Sequence, residues 1–333
     1  MSESERPGIG VLGVGKYIPQ KVVTNEQLEA WTQMPAQTIV DKTGIVTRYI
    51  VEDGETASGM SAIAAKQAIE MAGVQADQIG LIIGCTFSGD YVYPAMACKV
   101  QDLIGARNAG AFDLMANCTA FQIGLGVASD RMSCDSDVAY GLVIGTALQS
   151  PFINWTDPDS AIYFGDGAGA AVLGRVPSGY GVLCTEMFTN ARVFDAVRLR
   201  GGGSSYPLRP ENINDGLQYY EINGMEVWKQ VIQYQPKVIR RALEKIGEKI
   251  EDVDFFIFHQ ANLRLIEYLM GKMKQPMSKT YTNVAEIGNT ADASLAITLC
   301  DAVRAGLIQR DQLVVISGVG AGFIFGATVI RWY

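Results

Sequence analysis

The sequence is poor in the residues that metal sites, disulfide scaffolds and nucleic-acid surfaces require. It has one histidine in 333 residues, and its six cysteines lie far apart without a C-x-x-C pair, at positions 85, 98, 118, 134, 184 and 300. That spacing argues against a disulfide framework and a cysteine-ligated metal, and it suits a reduced, cytoplasmic protein. Basic residues number 27 against 35 acidic ones, a formal net charge of −8 at pH 7. This balance disfavours nucleic-acid binding, whose affinity comes mainly from cations that neutralise phosphates.

Long apolar runs are also missing. The most apolar stretches, 79–85 and 312–319, are far shorter than the ~20 residues that span a bilayer. The polar start, 1–8, lacks the apolar centre of a signal peptide. We therefore expect no association with a membrane. Hydrophobic residues nevertheless make up 48% of the chain, which is enough to form a large core.

Strand-like and helix-like segments alternate along the chain, which predicts an α/β fold. The predicted strands are 8–14, 79–85, 110–114, 138–145, 162–174, 253–258, 312–318 and 323–332. The predicted helices are 57–73, 118–132, 222–246, 290–304 and a short one that opens with a capping box of Thr24 and Gln27. The glycine-rich stretch 189–218 has no periodicity and is predicted to be a long loop.

Three pairs of segments recur in the same order, which indicates an internal duplication. Residues 69–85 resemble 243–259 at an offset of 174, and the segment from Asn117 resembles the one from Asn289 at an offset of 172. The glycine-rich segments 164–175 and 320–332 form the third pair. Chance similarity among α/β units is the competing interpretation. Three matches in one order favour two similar halves, 1–176 and 177–333.

His259 ends the apolar strand FFIF and opens the polar segment HQANLR. A lone histidine is more often structural than catalytic, but functional sites in α/β folds collect at the carboxyl ends of strands. Partial burial at such a position predicts a lowered pKa and a neutral imidazole that can donate a hydrogen bond from Nε2.

Cys118 and Asn289 each stand where a helix is predicted to begin. Cys118 follows the strand-like AFDLM, and the positive end of a helix dipole there would favour its thiolate. An inert buried thiol is the alternative for Cys118, and it fits the other five cysteines better. Asn289 lies in the duplicate of the Cys118 turn, so both should face one cavity, although an asparagine at a helix start is usually only a cap.

The two glycine clusters, FGDGAGA and GVGAGF, do not predict phosphate-binding loops. Neither carries the lysine of a P-loop, and GDGAGA is not a G-x-G-x-x-G that opens a helix. We interpret both as places where backbone segments approach closely, one of which presents an N–H to a substrate.

Six motifs together resemble the β-ketoacyl-acyl-carrier-protein synthase III family. In chain order they are VDKTGIVTR, MANCTAF, FGDGAGAAVL, FHQANLRLI, IGNTADAS and GVGAGFIFG. The resemblance implies a thiolase-like αβαβα five-layer sandwich of two duplicated halves, and a homodimer. It also implies that acyl-CoA or acyl-carrier-protein thioesters are the substrates, with no cofactor and no metal.

The resemblance assigns roles to particular residues. Cys118 would accept the acyl group, and His259 and Asn289 would complete a triad that holds the enolate of a malonyl thioester. The backbone N–H groups of Cys118 and Ala321 would form the oxyanion hole.

Further residues are implied for the pocket and for docking. Tyr93 stands where the family projects a residue into the partner's acyl pocket, and Phe164 and Asn117 are the other pocket candidates. Residues implied to dock an acidic carrier protein are Arg264, Lys272 and Lys274. An exposed basic helix face is an equally good interpretation of those three.

The sequence departs from the family where a coenzyme A adenine commonly stacks between Trp and Arg. Thr38 and the Pro158–Asp159 region stand there, and Lys42 replaces an arginine. We therefore expect a specialised ketosynthase of polyketide or fatty-acid biosynthesis, for which a carrier-protein thioester is an alternative acyl donor to a coenzyme A thioester. Acyl transfer without decarboxylation, to an alcohol, an amine or a carrier protein, is the alternative. A non-catalytic subunit is disfavoured by the intact triad, and a thiolase by the absence of a second cysteine near Gly318.

Overall fold

The computed structural model describes residues 7–333 and places them in two main β-sheets with helices between and outside them. The polar start of the chain, 1–6, lies outside the described residues. The helices are α1 (Asn25–Thr32), α2 (Ala36–Thr43), α3 (Ala57–Ala72), α4 (Met96–Ile104), α5 (Ala120–Cys134), α6 (Gly224–Glu244), α7 (Leu263–Lys272), α8 (Val284–Ile287) and α9 (Ser294–Arg304). The strands are β1 (Gly8–Tyr17), β2 (Lys21–Thr24), β3 (Thr47–Ile50), β4 (Ile79–Cys85), β5 (Gly110–Leu114), β6 (Tyr140–Ala147), β7 (Gly167–Val176), β8 (Gly181–Thr189), β9 (Val197–Leu199), β10 (Tyr220–Ile222), β11 (Phe255–Phe258), β12 (Leu313–Gly320) and β13 (Ile324–Arg331).

The two main sheets repeat one topology. The first has the order β1-β7-β6-β4-β5, in which β7 is antiparallel to β1 and β6, and β4 is parallel to β6 and β5. The second has the order β8-β13-β12-β11 with the same directions, and a parallel bridge from Phe256 to Thr280 stands in the place of β5. The duplication inferred from the sequence is therefore confirmed. The boundary between 176 and 177 falls in the turn between β7 and β8 and remains a prediction.

Helices fill three layers around these sheets. Helices α3 and α4 pack on the outer face of the first sheet, and α6 packs on the outer face of the second together with α7. Helices α5 and α9 contact both sheets and lie between them. The order is helix, sheet, helix, sheet, helix, as expected from the sequence.

The buried central helices pack closely because glycines line the contacts. A Cβ on Gly126 of α5 would lie 2.4 Å from Oγ1 of Thr185 on β8, and one on Gly169 of β7 would lie 2.6 Å from the Ala296 methyl of α9. Both distances are below van der Waals contact, so a larger residue would separate the layers. The interpretation of FGDGAGA as a close backbone approach is confirmed.

Several predicted boundaries were wrong in an informative way. The helix predicted from residue 118 begins at Ala120, after a 3₁₀ turn over Asn117–Thr119, and α9 likewise follows a 3₁₀ turn over Ala291–Ala293. The strand predicted from 162 begins at Gly167. The 189–218 segment is largely irregular, but it contains a 3₁₀ turn and β9, which pairs with β10. The Thr24–Gln27 capping box is confirmed.

Within 7–333, none of the helices combines the length and the apolar character needed to cross a bilayer.

Candidate active site

The Cys118 turn is held against the connection between β12 and β13. The side-chain amide of Asn117 donates a hydrogen bond to the Ala321 carbonyl at 3.1 Å. A Cβ on Gly320 would lie 2.2 Å from the Ala116 carbonyl oxygen, so only glycine allows this approach. Asn117 itself has φ 49°, a left-handed conformation that costs an ordinary residue about 1–3 kcal/mol. The turn is therefore strained and fixed next to Ala321.

His259 reaches the same part of β12 from the neighbouring strand. Its backbone N–H donates to the Ser317 carbonyl at 3.0 Å. The next residue, Gly318, lies against the Cys118 backbone, since a Cβ there would be 2.9 Å from the Cys118 carbonyl oxygen. Cys118 and His259 are thus attached to adjacent residues of one strand.

Asn289 is fixed through its backbone and through one end of its side chain. Its N–H donates to the Tyr163 carbonyl at 2.8 Å, and its carbonyl accepts from the Gln149 side chain at 2.8 Å. Its Oδ1 accepts from the Ala291 N–H at 2.9 Å. This bond is the cap-like contact expected of an asparagine before a helix, and it leaves Nδ2, a donor, for another partner.

Contacts between turns bring the three residues into one region. The 3₁₀ turn that follows Asn289 contacts the 3₁₀ turn that contains Cys118. The Gln260 N–H, next to His259, donates to Oγ of Ser294 at the start of α9 at 2.7 Å. The three predicted catalytic residues therefore lie on neighbouring backbone segments between the sheets, and their roles remain predictions.

Burial keeps His259 neutral. The residue is 7% exposed, its Nδ1 has no hydrogen-bond partner among the described residues, and burial lowers its pKa to about 3. The charged imidazolium is disfavoured because it would lose its hydration. The neutral form expected from the sequence is confirmed.

This shift predicts the acid side of the pH profile. Because the folded-state pKa is lowered, the neutral imidazole persists well below pH 6.5. We expect the condensation rate of acylated enzyme to stay flat on the acid side down to about pH 5, whereas a histidine of ordinary pKa would lose activity near 6.5. Single-turnover rates over this pH range would check it. A midpoint near pH 6.5 that disappears in His259→Gln would contradict it.

The protonation of Cys118 differs from the sequence-based expectation. Burial, followed by the negative charge of Asp292, raises the pKa of its thiol, and the Cys118 backbone N–H only partly offsets this rise. The dipole of α5 does not offset the effect of burial on the thiol pKa, because Cys118 lies in the 3₁₀ turn and not in the first turn of α5. The resting residue is a thiol, and its proton must leave as the nucleophile reacts.

Asp292, not Thr290, is the counterpart of Cys118 in the second half. The left-handed Asn117 (φ 49°) precedes Cys118, and the left-handed Ala291 (φ 40°) precedes Asp292. The Cys118 carbonyl lies against Gly318 of β12. The Asp292 carbonyl lies in the same way against Gly145 of β6, where a Cβ would be 2.4 Å from its oxygen. The offset of 172 inferred for this pair was wrong, and 174 holds here as it does for 69–85. Keeping one offset throughout would have revealed the match.

An aromatic and polar wall adjoins Cys118. The predicted pocket residue Phe164 is buried and stacks on Tyr220 at a centroid distance of 4.7 Å. The Tyr220 hydroxyl donates to Oε1 of Gln149 at 3.1 Å, and burial raises its pKa. Tyr220 begins the short strand β10 and Gln149 lies in the loop after β6, and no local pattern predicted the position of either.

The remaining predicted residues lie on the surface or donate hydrogen bonds to backbone carbonyls. Tyr93 is 85% exposed, beside Tyr91 and Val92, which are 74% and 95% exposed. The Arg264 guanidinium is engaged by Glu267 and by the carbonyls of Val40 and Asp41.

Two predicted docking lysines border surface grooves. Nζ of Lys272 donates to the Ile232 carbonyl at 2.7 Å. Lys272 lines two grooves on the α6–α7 face, and Lys274 lines one of them.

Within the part of the chain that the structure describes, His, Cys, Asp and Glu side chains form no group of three or more suited to a metal ion.

Two family models match this chain. The model described as 3-oxoacyl-[acyl-carrier-protein (ACP)] synthase III matches residues 112–191, and the model of its C-terminal part matches 243–332. The β-ketoacyl-[acyl-carrier-protein] synthase III of Caldanaerobacter subterraneus is 36% identical over 328 residues, which cover 98% of this chain and 99% of the relative. The enzyme of the same description from Geobacillus kaustophilus is 37% identical, with 98% and 99% covered.

The chain is also similar to solved structures. The 3-oxoacyl-[acyl-carrier-protein] synthase III of Aquifex aeolicus superposes with a TM-score of 0.89 at 32% identity, covering 98% of this chain and all of that one. The priming β-ketosynthase of the R1128 polyketide biosynthetic pathway superposes with a TM-score of 0.90 at 29% identity, covering 100% and 98%.

Proposed function

Since the chain belongs to the 3-oxoacyl-[acyl-carrier-protein] synthase III family, with its thiolase-like fold and acyltransferase class, we propose that it loads an acyl group on Cys118 and condenses it with a malonyl thioester. The reaction is a decarboxylative Claisen condensation that yields a β-ketoacyl product. The donor and the extender are thioesters of coenzyme A or of an acyl carrier protein.

Loading is a thioester exchange. Sγ of Cys118 forms a bond to the acyl carbonyl carbon, the carbon–sulfur bond of the donor breaks, and the thiol proton passes to the departing thiolate. His259, the only imidazole of the chain, is proposed to relay this proton within the same step, so that no lasting imidazolium forms. The oxyanion of the tetrahedral intermediate would be held by the N–H groups of Cys118 and Ala321, which the Asn117–Ala321 hydrogen bond keeps close together.

Condensation requires hydrogen-bond donors that carry no charge. Loss of CO2 from the malonyl thioester leaves an enolate, and its negative oxygen is stabilised by fixed donors. His259 is neutral, and Nδ2 of Asn289 is left for this bond because Oδ1 is engaged by Ala291. The enolate carbon then forms a bond to the acyl carbonyl carbon, the bond to Sγ breaks, and the released thiolate takes up a proton from solvent to restore the Cys118 thiol.

The contact between the Cys118 turn and the turn after Asn289 carries this proposal. It is tested by incubating the protein with an acyl thioester and malonyl-carrier protein. Release of CO2 and a β-keto product are expected. A product that contains the acyl group without the two added carbons would show simple acyl transfer instead, and no turnover with an unmodified Cys118 would refute both.

We further propose a specialised primer in polyketide or fatty-acid biosynthesis, acting in the cytoplasm. Thr38 and Lys42 lie on α2, where the family commonly binds the adenine of coenzyme A with Trp and Arg. The similarity to a polyketide priming ketosynthase supports the same proposal. All six cysteines are free, which suits a reducing compartment.

The exposed segment Tyr91–Tyr93 supports the proposed homodimer. Three consecutive large side chains on a surface are characteristic of an interface. Asp113 at the edge strand β5 accepts hydrogen bonds from the N–H groups of Met96 and Ala97, so this segment lies beside that edge. Sedimentation as a monomer at micromolar concentration would contradict the dimer.

Carrier-protein docking is proposed on a groove of α6 and α7. The groove has a volume of about 440 Å³, its charged lining residues are all basic, and it is lined by Lys229, Ile232, Gln233, Pro236, Lys237, Arg240 and Lys272. Arg240, Lys229 and Lys237 were not predicted from the sequence, because helical spacing alone does not show which faces of two helices form one groove. Arg264 is held by intramolecular bonds and is the weaker docking candidate.

Reversing charge in this groove should weaken binding of carrier-bound substrate only. In Lys229→Glu/Lys237→Glu we expect KM for malonyl-carrier protein to rise roughly tenfold, with KM for malonyl-CoA unchanged, because rim charges steer an acidic partner. Steady-state kinetics with both thioesters measures this. Lys99→Glu, on α4 of the other half, is the control. Equal changes for both substrates would rule out docking here.

A further inference from the structure

Asp292 is a buried acid that the proposed mechanism does not use. It is 1% exposed, and neither carboxyl oxygen has a hydrogen-bond partner within the described part of the chain. The neighbouring Thr290 hydroxyl is equally buried and also lacks a partner there. A buried carboxyl group without partners loses its hydration and gains nothing in exchange, which is costly for stability. Such a residue calls for an explanation outside the fold.

The position of Asp292 is defined by what it contacts and influences. It occupies the counterpart position to Cys118, on a 3₁₀ turn that contacts the Cys118 turn. Its carbonyl lies against Gly145 of β6. A charge on this carboxyl group, were it ionised, would raise the pKa of the Cys118 and Cys85 thiols and of the Tyr220 hydroxyl, so all three groups lie within electrostatic reach of it. The turn that carries Asp292 therefore contacts the turn that carries Cys118, the residue that would hold the acyl chain.

Burial makes this carboxyl group a donor. It raises the pKa of Asp292 well above its ordinary range, and the Asp292 backbone N–H only partly offsets the effect. A protonated carboxyl group donates one hydrogen bond through its O–H and accepts through its other oxygen. In its protonated form it could therefore bind a hydroxyl or oxo substituent without the cost of a buried charge, and by giving up its proton it could pair with the cation of an amino substituent.

The wall next to Asp292 has the same mixed character. Tyr220 and Phe164 offer stacked rings, while the Tyr220 hydroxyl and the Gln149 amide are hydrogen-bonded to each other. Gln149 also donates to the carbonyls of Gly165 and Asn289, so its side chain is committed. Among these residues Asp292 has the free hydrogen-bonding capacity.

We propose that Asp292 selects the acyl donor by hydrogen-bonding a polar substituent of the acyl group held on Cys118. The enzyme then takes an acyl thioester that bears a hydroxyl, oxo or amino group in preference to an alkyl acyl group of the same length. A site built around a hydrogen bond rejects the analogue that lacks it, because the buried polar group is left unpaired. This inference rests on the proposed loading of Cys118.

The test is a set of matched acyl donors on the intact protein. Cys118 acylation is followed by intact-protein mass spectrometry with butanoyl-, β-hydroxybutanoyl-, acetoacetyl- and β-aminobutanoyl-CoA. In the wild type we expect the best polar donor to load roughly tenfold or more faster than butanoyl-CoA. Comparing the loading rates of the hydroxyl and oxo donors with that of the amino donor shows which substituent Asp292 recognises.

Two variants separate recognition from folding. Asp292→Ala should abolish the preference and load butanoyl-CoA at least as fast as the polar donors. Asp292→Asn keeps the shape and can still hydrogen-bond an oxygen, so it should retain a hydroxyl or oxo preference but lose an amino preference. Partial unfolding lowers the loading rates of all donors equally, so it leaves the ratio of those rates unchanged.

The outcomes are distinct. A wild type that loads butanoyl-CoA as fast as every polar donor, or an Asp292→Ala enzyme with the wild-type ratio, would overturn the role of Asp292 while leaving the proposed function intact. Folded protein that no thioester acylates at Cys118 would overturn both. If neither variant folds, the wild-type ratio alone decides.

Discussion

Cys118→Ala is expected to remove acylation completely and to lower β-keto product formation by roughly four orders of magnitude or more. The methyl group cannot form a thioester, and without that intermediate the enolate has no acyl group to attack. The Cys118 turn should survive, since its hydrogen bond to Ala321 is made by Asn117. Intact-protein mass after exposure to a panel of acyl thioesters measures the first effect, and product mass the second.

The control for this experiment is another cysteine of the same helix region. Cys134 is exposed at the end of α5, so it can react with thioesters without any catalytic role. Cys134→Ala should load and condense like the wild type. An acyl adduct that persists in Cys118→Ala and disappears in Cys134→Ala would show that Cys134 is the acylated residue, and it would refute the mechanism.

The strands of both halves could be predicted because their signals are local. IGLIIGC and FFIF are continuous apolar runs, as expected of strands buried on both faces, and they became β4 and β11. The same holds for the capping box at Thr24, whose two partners lie three residues apart. Recurrence of these local patterns was enough to reveal the duplication, but not the order and direction of the strands in each sheet.

The surroundings of the site could be predicted only in part, because they depend on distant contacts. His259, Cys118 and Asn289 stand at ends of elements that a pattern can locate. The 3₁₀ turns are different, since they arise where the backbone must pass Gly318 and Gly145, and no local residue preference announces them. Tyr220 reaches the site from the short strand β10 by stacking on Phe164, a contact between residues 56 positions apart.

Asn289→Ala should leave loading intact and slow condensation by about 10²–10³, the usual effect of removing one oxyanion donor. Loading needs Cys118 and the backbone N–H groups, whereas the enolate forms only in the second step and is held there by His259 and Nδ2 of Asn289. A rapid burst of acyl-enzyme followed by very slow release of CO2 is the expected signature in a rapid-quench experiment.

Asn289→Asp makes this prediction sharper, because it changes the donor alone. Its carboxylate can still accept the hydrogen bond that Oδ1 of Asn289 takes from the Ala291 N–H, so the turn before α9 should keep its shape. The oxygen that replaces Nδ2, however, cannot donate while ionised, and its charge would repel the enolate. Condensation should therefore fall at least as far as in Asn289→Ala, with loading near the wild-type rate. If both variants lost loading and condensation in equal measure, Asn289 would be a structural cap and the enolate would have to be stabilised by other groups.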